Sequence, residues 1–413
     1  MKPLAIFSLL LLTGLLTSCP PSPYRTGVPT TTTTTTATTP PGGGGRTVPI
    51  GARPGDASPD TPAAGEASAL NGFKMGRKPK NIILMIGDGM GVTQISAGLY
   101  MNNNRLHLEA FPFVGLHKSY SGDNLVTDSA AGATAFSAGV KTYNGAIGVG
   151  MDTLPVTTIL ELAEAAGLPT GLVASSSIVH ATPASFIAHN RYRKNYEEIA
   201  ADFTRTDVDL LIGGGIKFFD RRSGDKRNLS TELRSKGYVV ENFIDRAIKD
   251  VRPDVKAPYA YLTADAEPLP FSQGRDYLVA ASRIAPDFLD RRDADDKGFF
   301  LMIEGSQIDW GGHANDSDYI ISEMLEFNQA IGEVLDFARR DGETLIIVTA
   351  DHETGGYAIQ NGSSLGNIDG AFTSDYHTAD LIPVFAYGPG AEHFSGIYEN
   401  TAIFDKMKAL FGF

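Results

Sequence analysis

The sequence predicts an α/β fold, with a doubly wound, mostly parallel central sheet flanked by helices on both faces. From Lys80 onward, short apolar runs rich in β-branched residues alternate with helical patterns, which is the order of a parallel sheet with crossover helices. The runs are continuous rather than alternating in polarity, as strands buried on both faces are. Three of them lead directly into acidic or metal-competent residues, and open sheets of this kind hold ligands off the carboxyl ends of their strands. The chemistry is therefore expected at one rim of the sheet.

The chain has 413 residues, 42% of them apolar, enough for one large α/β domain or two ordinary ones with a sizeable core. A formal charge of −13 argues against a protein that holds nucleic acid through its phosphates, which takes clustered Lys and Arg. It does not exclude a small phosphate held by a local cation.

Taken in order, the first element is Met1-Lys2-Pro3 followed by an apolar run, Leu4 to Leu16, too short to span a bilayer at about 20 residues per helix. This is the pattern of a signal peptide over residues 1–18. Leu16-Thr17-Ser18-Cys19 is similar to a bacterial lipobox, which would leave Cys19 lipidated and the protein anchored to a membrane in the periplasm or at the cell surface; an ordinary secretory signal is the alternative. Cys19 is the only cysteine, so the mature domain has no disulfide. Residues 19–77 are Thr-, Pro- and Gly-rich, with a Thr30 to Thr36 tract and Gly42 to Gly45. Such a composition buries too little apolar area to offset ordering entropy, and is read as a disordered tether. The catalytic domain is expected over 78–413.

Within that domain strands are expected at Asn81 to Ile86, Thr170 to Ser175, Asp209 to Ile212, Phe299 to Ile303, Thr344 to Thr349 and Ile382 to Tyr387. Helices are expected at Val156 to Ala166, Tyr196 to Thr204 and Tyr319 to Arg340, where Ile321, Leu325, Ile331, Val334 and Ala338 recur near a 3.6 period.

The candidate residues lie between these elements. Gly87-Asp88-Gly89 ends the first strand and is either a plain turn or a turn that presents Asp88 to the crevice. Asp309 and His313 stand at i and i+4 of Asp309-Trp310-Gly311-Gly312-His313, on one helical face, where both can reach one cation; a capped surface helix would look the same. Asp351-His352 can act jointly only if the strand ends before them, which the glycines of Glu353-Thr354-Gly355-Gly356 permit. His377 follows a polar loop and is either a surface histidine or a ligand. Ser129 opens a small-residue helix, Ala130-Ala131-Gly132-Ala133, and is either its cap or a hydroxyl placed where a helix N-terminus favours negative charge. Thr182 offers a hard oxygen and Arg193 a bidentate grip on phosphate, although Arg191, Arg193 and Lys194 would equally make a solvated helix face.

Five segments in order, TDSAAGATAFSAGVKTYNGAIGV from Thr127, VHATPASFIAHN from Val179, EGSQIDWGGHAND from Glu304, TADHETGG from Thr349 and HTADLIPVFAYGPG from His377, resemble the motifs of alkaline phosphatases. The likeness runs from Asn81 to the C-terminus. Carried over residue by residue, it implies that Asp309, His313 and His377 bind one zinc, and that Asp88, Asp351 and His352 bind a second. Asp88 would also bridge to a magnesium held by Thr182 and Glu304, with Ser129 the nucleophile and Arg193 the phosphate clamp. Better-known bacterial members carry Asp and Lys where this chain has His180 and Trp310; a bacterial branch with His and Trp is the nearer likeness. An imidazole beside a magnesium position can recruit zinc.

The resemblance implies metal-dependent hydrolysis of phosphate monoesters through a phosphoserine, by a monomer or homodimer. Sulfatases place a proline two residues after the modified residue, where this chain has Ala131. Diesterases of this fold usually lack the combination of Thr182, Glu304 and Arg193. An inactive metal-binding surface lipoprotein is the remaining rival, and the complete set of nucleophile, metal ligands and anion clamp argues against it.

Overall fold

Seven successive residues, Asn81–Gly87, are buried without exception and form strand β1. Ile82, Leu84 and Ile86 enter one apolar core while Ile83 and Met85 enter another. Alternate side chains of a strand point to opposite faces, so a run that is apolar at every position needs cover on both. The computed structural model describes residues 75–413. The expected signal peptide, Cys19 and all of the expected tether up to residue 74 lie outside the described residues.

The other strands follow as β2 (Phe113–Lys118), β3 (Thr170–Ser177), β4 (Leu210–Gly214), β5 (Val239–Asn242), β6 (Tyr259–Leu262), β7 (Phe300–Gly305), β8 (Thr344–Thr349), β9 (Glu353–Thr354), β10 (Ala358–Ile359), β11 (Gly370–Ala371), β12 (His377–Thr378), β13 (Leu381–Tyr387) and β14 (Gly396–Glu399). Ten of them form one sheet in the order β14-β2-β13-β8-β1-β7-β3-β4-β6-β5. β1 lies between β8 and β7, parallel to both, with Ile86 level with Thr349 on one side and Glu304 on the other. The carboxyl ends of β8, β1, β7 and β3 therefore form one rim. Two short antiparallel pairs, β10 with β11 and β12 with β9, stand apart from the sheet.

One face is covered by helices that include Ser129–Ala138, Ile159–Ala165 and Ala402–Phe411, whose Phe136, Ile159 and Met407 share a core with Leu84 and Met302. The other is covered by Leu278–Arg292 and the long Ser317–Asp341 helix, whose Leu289, Phe327, Ile331 and Val334 pack with Ile83 and Leu301. This is the doubly wound arrangement expected.

Three expectations need correction. Ile382 to Tyr387 was expected as a parallel strand, but β13 is antiparallel to both β2 and β8. Its continuous apolar run reports cover on both faces, and that is indifferent to strand direction. The helix expected from Val156 begins only at Ile159, because Thr158 caps it: the Thr158 hydroxyl accepts from Glu161 N, and the Glu161 carboxylate accepts from Thr158 N, a capping box. Arg193 lies on a turn ahead of the Tyr196–Asp202 helix and not on a helix face. No helix among the described residues is long and apolar enough to cross a membrane.

Candidate metal and nucleophile site

Strand β1 ends in the Gly87-Asp88-Gly89 turn, where Gly89 takes a left-handed φ of 74°. A side chain on Gly89 would also meet Asp309 Cα at 2.6 Å, so glycine is needed here for conformation and for space. Asp88 is thereby delivered, fully buried, to the middle of the rim. Across the rim, β8 stops at Thr349, and Asp351 and His352 follow outside the ladder. That lets both side chains turn to the same side, as joint use requires.

Two groups of ligand-type atoms result. In the first, atoms of Asp309, His313 and His377 lie within 4.8 Å of one another. Asp309 and His313 share a face of the Gln307–His313 helix, with Asp309 Oδ2 3.5 Å from His313 Nε2. His313 Nδ1 faces the Asp375 carbonyl at 2.7 Å and His377 Nδ1 faces the Thr127 carbonyl at 2.8 Å. A carbonyl only accepts, so each Nδ1 carries the proton and each Nε2 presents a lone pair. Those two Nε2 atoms are 3.1 Å apart, an arrangement that a shared cation relieves. In the second group, Asp88, Asp351 and His352 meet the same 4.8 Å limit. His352 Nε2 is 3.5 Å from Asp88 Oδ1 and 3.4 Å from Asp351 Oδ2.

A third group joins Asp88 and Glu304 to His180. From the sequence His180 is expected only beside a magnesium position; in the fold its imidazole stands among the ligand-type atoms. The Trp310 ring meets it edge-on, with centroids 6.0 Å apart. Thr182 is buried close by on the Ala181–Ala184 turn of helix.

The donor set calls for cations. Both oxygens of Asp88, Asp351 Oδ2, Glu304 Oε1, Thr182 Oγ1 and His180 Nδ1 are buried without a hydrogen-bond partner, and orphaned buried polar atoms cost free energy. Burial, reinforced by the charge of Asp351, pushes the Asp88 carboxyl well above the ordinary carboxylate range. Burial likewise pushes Glu304 up to about 8 and Asp351 up to about 7. Burial lowers the imidazoles of His352, His377 and His180, the last to about 3, so they stay neutral. Neutral imidazoles among crowded carboxylates are the form in which such groups bind divalent ions.

Ser129 is the first residue of the Ser129–Ala138 helix, and it is not the cap. Asp128 caps, accepting from Ala131 N at 3.0 Å. The serine hydroxyl is thus free of the backbone, and its Oγ lies 3.4 Å from His352 Nε2. A side chain at Gly132 would meet Asp351 Cβ at 2.9 Å, which explains the small-residue run: the helix end sits directly on the rim. Arg193 Nη1 donates to Asp128 Oδ2 at 2.9 Å, so the guanidinium is held beside Ser129, while Arg191 and Lys194 are exposed. The expected metal ligands come to this one rim together with Ser129 and Arg193, whereas Arg191 and Lys194 face solvent and Cys19 lies outside the described residues. Asp128 and Thr354 also belong to the site and do not stand out in the sequence as candidates. An Asp immediately before a small-residue helix is a cap signal that would have marked Asp128. Thr354, which bonds both Asp309 and His352, carries no such signal.

A buried cluster of carboxylates and neutral imidazoles around a helix-end serine, at the carboxyl rim of a doubly wound sheet, places the protein in the class of metal-dependent α/β hydrolases. Comparison with known proteins narrows this. The family model described as Alkaline phosphatase matches residues 79–369. Alkaline phosphatase 3 of Bacillus subtilis is 35% identical, over 78% of this chain and 87% of that protein. The structure of alkaline phosphatase from the Antarctic bacterium TAB5 superposes with a TM-score of 0.74 at 44% identity, covering 81% of this chain and 98% of that one. A variant of the TAB5 enzyme in which a histidine is replaced by aspartate, with Mg bound, matches at 43% identity over the same shares with a TM-score of 0.74. The chain belongs to the alkaline phosphatase family, and it is a metal-dependent hydrolase of phosphate monoesters.

Proposed function

We propose that residues 78–413 form the catalytic domain and cleave phosphate monoesters through a phosphoserine at Ser129. The observation that supports this best is the position of Ser129 Oγ, uncapped and 3.4 Å from His352 Nε2, with Arg193 held alongside by Asp128. Asp309, His313 and His377 would hold one zinc, and Asp88, Asp351 and His352 a second. Asp88, Glu304 and Thr182 would hold a magnesium, and His180 makes zinc a competitor for that position. When bound, these ions supply positive charge that favours deprotonated oxygen nucleophiles and offsets charge on the phosphoryl and leaving oxygens. The Mg-containing TAB5 variant is consistent with such a third position.

The protein's own residues then divide the work. Ser129 Oγ gives up its proton to solvent and bonds phosphorus as the ester P–O bond breaks, and the leaving oxygen takes up a proton from solvent. Water next adds to phosphorus, releasing one proton, while the P–Oγ bond breaks and Ser129 Oγ takes one up, so that inorganic phosphate leaves with the serine hydroxyl restored. The N-terminus of the Ser129–Ala138 helix stabilises negative charge on Oγ and on the phosphoryl group. Arg193 grips phosphoryl oxygens in bidentate fashion, aimed by Asp128. In keeping with the same reading, residues 1–18 direct export, Cys19 carries the lipid anchor and 19–77 is the tether. The enzyme would act outside the cytoplasm as a monomer or homodimer.

Replacing Ser129 with Ala tests the assignment. Turnover of p-nitrophenyl phosphate should fall by about 10³ or more, as removal of a nucleophile does, with circular dichroism and metal content unchanged. Turnover within a few fold of the parent would mean that another group attacks.

A further inference from the structure

Thr354 sits between the two ligand groups and touches one member of each. Its Oγ1 bonds Asp309 Oδ1, of the first group, and lies 3.2 Å from Nδ1 of His352, of the second. A carboxylate oxygen accepts, so the Thr354 hydroxyl is the donor to Asp309. A hydroxyl has only one hydrogen. The contact with His352 must therefore run the other way, with Nδ1–H donating to Oγ1. The two bonds form a directed chain from His352 through Thr354 to Asp309. It fixes the imidazole with its Nε2 lone pair toward Asp88, Asp351 and Ser129.

The surroundings leave this hydroxyl no alternative. Thr354 is fully buried. A Cβ on Gly89 would come within 2.8 Å of its Oγ1, and one on Gly312 within 2.8 Å of its Cβ and Cγ2, so the side chain is packed between two glycines. Its backbone is held as well, since Thr354 pairs with His377 in the β12–β9 ladder and its carbonyl accepts from Gln94 Nε2 at 2.9 Å. Thr354 thus also fixes the strand that carries the third ligand of the first group.

We propose that Thr354 is a positioning residue that couples the two metal groups, so that loss of its hydroxyl weakens metal binding at both. The proposal rests on the metal-ligand reading above. A hydroxyl that orients two ligands without binding the ion is the kind of outer contact whose removal weakens metal affinity by roughly 10–100-fold.

The test is metal retention, read by elemental analysis after dialysis of the purified enzyme against graded EDTA. Thr354→Val keeps the branched shape and removes the hydroxyl, while Thr354→Ser keeps the hydroxyl and removes the methyl. The expected result is that the Val variant loses zinc at roughly 10–100-fold lower EDTA, from both groups together, and that the Ser variant stays close to the parent. Equal retention in the Val variant and the parent overturns the proposal. So does a Ser variant as leaky as the Val one, because packing would then be the cause. Should Val not fold, Thr354→Ala replaces it in the same comparison. A parent enzyme that holds no chelatable metal would overturn the metal reading itself, which separates that failure from failure of the coupling alone.

Discussion

Asp128 uses its two carboxylate oxygens for two tasks. Oδ1 accepts from Ala131 N and from Gly145 N, each at 3.0 Å, capping the helix and tying down the following loop. Oδ2 holds Arg193 in an ion pair in which both side chains are mostly buried. Asp128→Asn preserves an oxygen for the cap and removes the charge that aims the guanidinium. A hydrogen bond to a charged group contributes about 1.5–3 kcal/mol, and about 1.4 kcal/mol is tenfold in affinity. The expected outcome is a rise of about tenfold in both KM and the inhibition constant for inorganic phosphate, with little change in melting temperature. An unchanged inhibition constant would show that Asp128 does not aim the clamp. At this scale the sequence identified the residue types but not their division of labour: a serine at a helix start reads as a cap until its neighbour is seen to take that place. Glu353 is a second case. It is buried and accepts from Gln94, Gly356, Tyr357 and Thr378, and those four donors come together only in the folded chain.

Among the elements, the segment leading to Arg193 is held in place through His189. Its Nδ1 faces the Gly148 carbonyl at 2.6 Å and its Nε2 faces Glu161 Oε1 at 2.9 Å. Both partners accept, so together they favour the doubly protonated ring. Burial opposes that charge, but the bonds to Glu161 and Gly148 outweigh it and raise the His189 pKa. Burial opposes the Glu161 charge too, and the bonds from His189 and Thr158 together outweigh it, lowering the Glu161 pKa. The signs follow by linkage. The His189 contribution is fully present below the unfolded imidazole value of about 6.5 and is lost as pH rises through the raised folded value. The Glu161 contribution is present above the unfolded carboxyl value and is lost as pH falls through the lowered one. The pair therefore stabilises most in mildly acid solution. Denaturant titrations of the parent and of His189→Gln should differ most near pH 6, by roughly 1 kcal/mol for a partly exposed pair, and converge toward pH 9. A gap that widens with pH would contradict this. The strands at the centre of the sheet were well marked by apolar runs, as Thr344–Thr349 shows, but β2, β5, β6 and β14 toward its edges were not expected from the sequence. Direction was not, as β13 shows, because an apolar run encodes cover and not polarity of the chain.

For the molecule as a whole, the ligand groups form a polar seam at the rim between two apolar cores. Asp88, Asp351 and Glu304 repel one another there, buried and short of hydrogen bonds. Ions that bind the folded form and not the unfolded one stabilise it by about 2.7 kcal/mol when present at 100 times their Kd. Dialysis against EDTA should therefore lower the melting temperature along with activity, by several degrees, and zinc with magnesium should restore both. A melting temperature indifferent to chelation would argue that the cluster holds no ion in the folded enzyme.

The α/β class, the parallel centre of the sheet and most of the residues of the rim are legible in the chain alone. Those follow from local apolar pattern, from glycine turns at strand ends and from motifs whose order along the chain is visible without a structure. Which carboxylate caps the Ser129–Ala138 helix, the place of His180 among the ligand-type atoms, the direction of β13 and the reach of Thr354 between two ligand groups come to light only in the folded chain. The reason is distance along the chain. Ser129 and His352 are separated by 223 positions and Thr354 and Asp309 by 45, and the hydrogen bonds between such pairs are set by packing of the intervening elements, which no local pattern encodes.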